Sequence, residues 1–144
     1  MLYLTLSEAN DYFSARVGSE NWDLAGDSLK EKSLNHAERN LSRLAYRDLA
    51  VTKGLIFPRG TQTEVPTRVK ESICEEALAL LNGIQNETEM SDLHVSSTSG
   101  AGFTATVNAQ ADRPWIGLGL TSPIAWALIS PYLKDPNSFN VATA

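Results

Sequence analysis

Residues 66–86 read PTRVKESICEEALALLNGIQN, and the width of the apolar face in this stretch decides the fold. Pro66 occupies the position where a helix favours its first proline. Val69, Ile73, Ala77, Leu80 and Ile84 recur at helical spacing, and Cys74, Leu78 and Leu81 widen the face to nearly half the circumference. A surface helix usually shows an apolar arc of ~100° or slightly more. The stretch therefore predicts a helix central to a bundle, or one that touches a neighbouring subunit as well as its own core.

Upstream, two more helices are signalled. Thr5 and Glu8 form a T-x-x-E capping box. Leu6, Ala9, Phe13 and Val17 then share a face, and Gly18 is a natural stop. SENWDLAGD (residues 19–27) predicts one short helical turn. Asp27 or Ser28 can cap a second long helix running to about Leu49, with Leu34, Ala37, Leu41, Leu44 and Ala45 as its apolar stripe. Lys32, His36, Arg39, Arg43 and Arg47 project from its opposite side. The connection to the next helix carries GLIFPRG (residues 54–60). Pro58 disfavours helix at Phe57, so Leu55-Ile56-Phe57 is expected as an extended apolar plug between the two helices, with Arg59 emerging at its edge.

Downstream, residues 88–120 are rich in Ser, Thr and Gly and low in charge. Val95, Phe103 and Val107 predict a short β-hairpin-like pair around Gly100–Gly102, followed by an irregular DRPWIGLGL. TSPIAWALISPYL (residues 121–133) predicts a helix capped by Thr121 or Ser122, with Pro123 in its first turn and Pro131 as terminator. It is apolar nearly all round and is expected to be buried. The final residues read as an extended arm. The class is mainly α: a small bundle of three main helices plus a C-terminal helix, with a hairpin-like segment and an arm. The organisation is one domain, with a core over 1–87, the low-charge segment over 88–120 and the helix and arm over 121–144.

The 144 residues suit one domain of ordinary soluble composition, with 42% apolar and 20% charged residues. The net charge of −5 lacks the basic surplus of most nucleic-acid binders. One cysteine excludes an internal disulfide. The N-terminal residues do not read as a signal peptide, and no run approaches the ~18 apolar residues of a membrane span. No catalytic, cofactor-binding or metal-ligating set emerges. His36 reads as solvated, and His94 has no converging partners. Cys74 reads as a buried thiol, GLGL (117–120) is half a phosphate loop without its remaining parts, and adjacent Glu75 and Glu76 diverge on a helix. An enzyme is not expected. Two features read as recognition surfaces. One is the basic stripe Arg39/Arg43/Arg47 with Arg59, whose alternative reading is an ordinary solvated face. The other is the C-terminal helix and arm, with Trp126, Tyr132 and Phe139, whose alternative reading is packing onto the bundle.

The order YLTLSEANDYFSARVGSENWD, DSLKEKSLNHAERNLSRL, LIFPRG, VPTRVKESICEEALALL and ISPYL resembles a family of small tailed-bacteriophage proteins encoded among head and neck genes. Members are often described as DnaT-like single-stranded-DNA-binding proteins, and are similar to head–tail connector adaptors. The resemblance covers most of residues 3–84 and returns near 121–133; the aromatic-Pro-Arg-Gly step and the Val-Pro helix start are its most specific parts. It implies a ring of about a dozen copies under the portal, joined head to tail. It implies as partners the portal protein, the next neck, stopper or tail protein, and DNA passing through the channel. The location implied is the virion, after assembly in the host cytoplasm, with no membrane. The alternative implied is a single-stranded-DNA-binding replication accessory protein.

Overall fold

The structure of the chain, a computed structural model, describes residues 1–83 and 113–134. Among them are six α-helices and no strand: α1 (Leu6–Ser14), α2 (Glu20–Leu24), α3 (Asp27–Ser42), α4 (Thr67–Leu81), α5 (Pro114–Gly117) and α6 (Pro123–Ile129). A 3-10 turn, Ser130–Tyr132, follows α6. The fold is a small helical bundle. The predicted strands around Gly100–Gly102, His94, and the arm with Phe139 lie outside the described residues.

α4 is the axis. It packs against α3 on one side and α6 on the other, with α1 and α2 against its flanks. Val69, Ile73, Cys74, Ala77, Leu78 and Ala79 are all buried. The buried part of the arc is thus covered within the chain, with α6 as its second partner; Leu80 and Leu81 are half-buried, and Ile84 lies outside the described residues. Pro66 is the N-cap, and the helix ends at Leu81 rather than running on through Ile84 as its spacing predicts, because Gly83 takes φ 78° after the C-cap Asn82.

The α1 capping box forms with both bonds: the Glu8 N–H donates to Thr5 Oγ1 (3.2 Å) and the Thr5 N–H to Glu8 Oε2 (2.6 Å). The helix stops at Ser14, so Val17 leaves the predicted face and stands 93% exposed. The predicted turn in SENWDLAGD is α2, which buries Trp22 against Phe13.

α3 departs from its predicted extent. Its N-cap is Gly26, with Asp27 as the first helical residue. It ends at Ser42, not near Leu49, because Leu44 and Tyr46 turn into the core. The Tyr46 hydroxyl donates to Leu41 O and so satisfies one of the last helical carbonyls. Tyr46 then pairs with Leu133 in an antiparallel bridge, with Arg47 N–H on Tyr132 O (2.9 Å) and Lys134 N–H on Ala45 O (3.0 Å).

The C-terminal part differs in two respects. DRPWIGLGL contains the one-turn helix α5. α6 is capped by Ser122, whose Oγ accepts from Ala125 N–H, and it buries Ala125 and Ile129. Ile124 is 46% exposed and Ala127 is also exposed, so α6 is buried on one face only. Ala127 thins the outward side, while Ala125 lets α6 approach the core closely. Pro131 stands inside the 3-10 turn that closes the helix.

The plug is real but rests on one residue. Phe57 is buried against the edges of Tyr3, Tyr46 and Tyr132, with ring centroids at 6.0, 4.9 and 6.3 Å. Leu55 and Ile56 are only half-buried. Behind the plug, the Val51 N–H donates to Pro58 O (3.0 Å) and the Gly60 N–H to Leu49 O (2.8 Å), closing a hairpin-like loop. Gly60 has φ 59°, and a Cβ there would lie 3.0 Å from Asp48 Oδ2 and 3.1 Å from Asp48 Cβ. Gly60→Ala is therefore expected to lower unfolding free energy by about 1–2 kcal/mol, from left-handed strain and the clash together. Urea denaturation reads this, and a loss within error of zero would show that the loop shifts freely.

Candidate assembly surface

The site begins with what immobilises the loop over 43–60. Arg59 is turned inward across that loop. Its Nε donates to Arg47 O (2.8 Å), Nη1 to Ile56 O (3.2 Å) and Nη2 to Asp48 O. It also lies 5.5 Å from the centre of the Tyr46 ring. The planar guanidinium suits this work, because its fixed fork reaches several carbonyls at once. Arg59 was expected at an outer edge; its donors are instead engaged by its own loop. Arg47 likewise donates Nε–H to Leu133 O (2.7 Å).

The loop held this way presents Leu49, 84% exposed, and Val51, 57% exposed. Arg43, Arg47 and Lys53 are exposed beside them. The opposite end of the bundle, where α2 joins α1 to α3, presents Val17, Leu24 (85% exposed) and Leu29 (52%). Glu20, Asp23 and Asp27 are exposed among these. The antiparallel α3 and α4 separate the two ends: the 16 residues of α3 span ~24 Å.

The basic stripe survives only in part. Lys32, His36, Arg39 and Arg43 are exposed, with Arg43 as the C-cap of α3. Arg47 lies beyond the helix, so the stripe does not continue through it. Tyr46, the aromatic nearest these cations in sequence, is buried. Trp126 and Tyr132 are half-buried and belong to the packed C-terminal segment, Trp126 beside Trp115 and Tyr132 beside Phe57.

Three buried glutamates hold the outer segments to α3 and α4. Glu38 on α3 accepts from Leu2 N–H (2.8 Å) and Tyr3 N–H (3.1 Å). Glu75 on α4 accepts from Tyr12 Oη–H and pairs bidentately with Arg16. The pairing raises the Arg16 pKa above its usual value, and burial with Glu75 alongside raises that of Tyr12. Glu76 is fully buried and accepts from Thr121 N–H (2.9 Å), Ser122 N–H (2.9 Å) and Asn40 Nδ2–H (3.0 Å). The two adjacent glutamates do diverge, one toward α1 and one toward α6. Their clamping role was missed, although a signal existed. Glu38 falls four residues after Leu34 and three before Leu41, and Glu76 falls three after Ile73 and four before Leu80, so both lie within apolar stripes.

A cleft of about 350 Å³ opens beside Arg16, Glu75, Asn82, Arg113 and Ser122. Its Arg16–Glu75 pair is internally satisfied, and among the described residues neither lining hydroxyl, Thr121 or Ser122, donates to a His, Asp or Glu side chain. Among the described residues no group of three His, Cys, Asp or Glu side chains could hold a metal ion. Cys74 is buried, and burial pushes its thiol pKa up to about 12, which keeps it protonated and unreactive at neutral pH. Among the described residues no helix is long and apolar enough to cross a membrane.

No protein-family model matches the chain, and no curated protein or solved structure matches it.

Proposed function

We propose that this chain is a head–tail connector adaptor, a structural rather than enzymatic virion protein that forms a ring joining a phage portal to the neck. The observation that carries the reading is the apolar tip Leu49/Val51 on a loop fixed from behind by Phe57 and Arg59. Exposed apolar groups framed by charge favour protein contact. A loop already held in shape loses little conformational entropy on docking. The resemblance of LIFPRG and VPTRVKESICEEALALL to the connector family supplies the partner class: portal above, and a neck, stopper or tail protein below. The net charge of −5 would limit adhesion of DNA passing through the channel.

The alternative, single-stranded-DNA binding, draws on the exposed Arg39 and Arg43. Such binding favours aromatics stacked beside a positive groove. Tyr46 is buried with its hydroxyl engaged on Leu41, so it offers no such platform.

Purified portal complexes incubated with the protein should gain a ring of added density at one face in negative-stain images. Gel shifts with a single-stranded oligonucleotide should show no binding at physiological salt. Tight oligonucleotide binding that weakens steeply with salt, together with bare portals, would reverse the assignment.

A further inference from the structure

We infer that the two ends of the bundle are complementary and that copies of this chain join through them, the Leu49/Val51 tip of one copy seating on the Val17/Leu24/Leu29 end of the next. The inference rests on the self-assembly part of the connector reading and names the contact that reading leaves open. Its ground is charge as well as exposure. At the tip end the exposed Arg43, Arg47 and Lys53 outnumber the exposed Asp48 and Glu64. At the other end Glu20, Asp23 and Asp27 are exposed; of the cations nearby, Arg16 is paired with Glu75 and Lys30 lies 5.4 Å over the Trp22 ring, which leaves the exposed Arg113 against three carboxylates.

Each end therefore carries exposed apolar residues among charges that are mostly of one sign, and the signs are opposite. Opposite potentials steer and orient such a contact, while like ends repel. Tip-to-tip and acid-to-acid pairings are disfavoured, so the arrangement is heterologous. A heterologous contact repeats from copy to copy and closes into a ring when its rotation permits. The local architecture favours docking without rearrangement. Arg59 and the two backbone bonds across the loop hold the tip, and burial of Trp22 holds α2.

Engineered disulfides test the contact. Two full-length proteins, one Leu24→Cys and one Leu49→Cys, are mixed and mildly oxidised. Both positions are exposed, so folding is preserved, and buried Cys74 contributes little background. A held contact brings the two thiols to an effective concentration in about the millimolar range, so mixed dimers should exceed either homodimer by ~tenfold at low salt. Raising salt to ~1 M, where the Debye length falls to ~3 Å, should cut that excess several-fold. Arg43→Glu with Lys53→Glu on the Leu49→Cys protein should remove the excess. Glu20→Lys with Asp23→Lys on the Leu24→Cys protein should restore it. Mixed and homodimeric products in statistical proportion, or no restoration by the paired charge reversal, overturns the contact. If the mixed product is absent while the protein still rings portals, the contact fails and the connector reading stands. If it forms but portals stay bare, the contact stands without that reading.

Discussion

Glu76→Ala is expected to destabilise the protein by about 3–5 kcal/mol, as the alanine leaves Thr121 N–H, Ser122 N–H and Asn40 Nδ2–H without an acceptor inside the bundle. Each unsatisfied buried donor costs ~1–3 kcal/mol. Two effects offset part of that sum. The folded state no longer carries a desolvated carboxylate, and water can enter the space vacated. The remainder is a large share of the ~5–15 kcal/mol by which a domain of this size is stable. Glu76→Gln keeps the shape and one acceptor oxygen but turns an NH2 toward donors, so about half the loss is expected. Urea denaturation measures both. Hydrogen exchange locates the damage, which should be greatest over α6, since Glu76 accepts from the two backbone amides that open it. A Glu76→Ala protein within ~1 kcal/mol of the parent would show that the clamp is incidental to docking.

Phe57→Ala is expected to cost about 3–5 kcal/mol, the usual range for removing a buried phenyl ring. Phe57 is the shared neighbour of Tyr3, Tyr46 and Tyr132, which come from three separate parts of the chain. Its loss leaves three rings around a void and removes the packing that holds the N-terminal residues, the loop and the C-terminal turn together. The consequence reaches the tip. With Phe57 gone, the loop carrying Leu49 and Val51 should exchange its Val51 and Gly60 amide protons much faster, because their bonds to Pro58 and Leu49 lose the support behind them. Phe57→Leu, which refills most of the volume, should recover part of the stability. Unchanged exchange at Val51 and Gly60 in the alanine protein would separate the plug from the tip.

Several elements were legible because their signals are local. The Thr5–Glu8 box and the Ser122–Pro123 start depend on side chains within three residues of the backbone they satisfy. The stop of α4 was not read: Ile84 keeps the helical period, yet Gly83, at φ 78°, ends the helix before it. Misreadings cluster where a distant partner decides. The stripe Leu34–Ala45 continues smoothly in sequence, yet α3 stops at Ser42 because Tyr46 is drawn into a bridge with Leu133, far along the chain. Arg59 follows a proline in a polar loop and so reads as exposed. It is claimed by carbonyls of Arg47, Asp48 and Ile56 that only the folded loop assembles. Val17 keeps the α1 period but falls after the helix has ended, and becomes part of an exposed apolar end.

By itself the sequence determined a helix within residues 66–86 that needs burial on more than one side, since its apolar arc covers nearly half a circumference. It also determined that the loop before that helix carries an extended plug, since proline excludes helix at the residue preceding it. Only the tertiary structure decided what covers the arc. α3 does so on one side and residues 121–129 on the other, the latter held by backbone hydrogen bonds to the Glu76 carboxylate 45 and 46 residues away in the chain. It alone decided, too, that the exposed Leu49 and Val51 stand at one end of the bundle and Val17, Leu24 and Leu29 at the other. Helical period fixes which residues share a face; which faces meet, and which remain open for a partner, is set by the packing of segments distant in the chain.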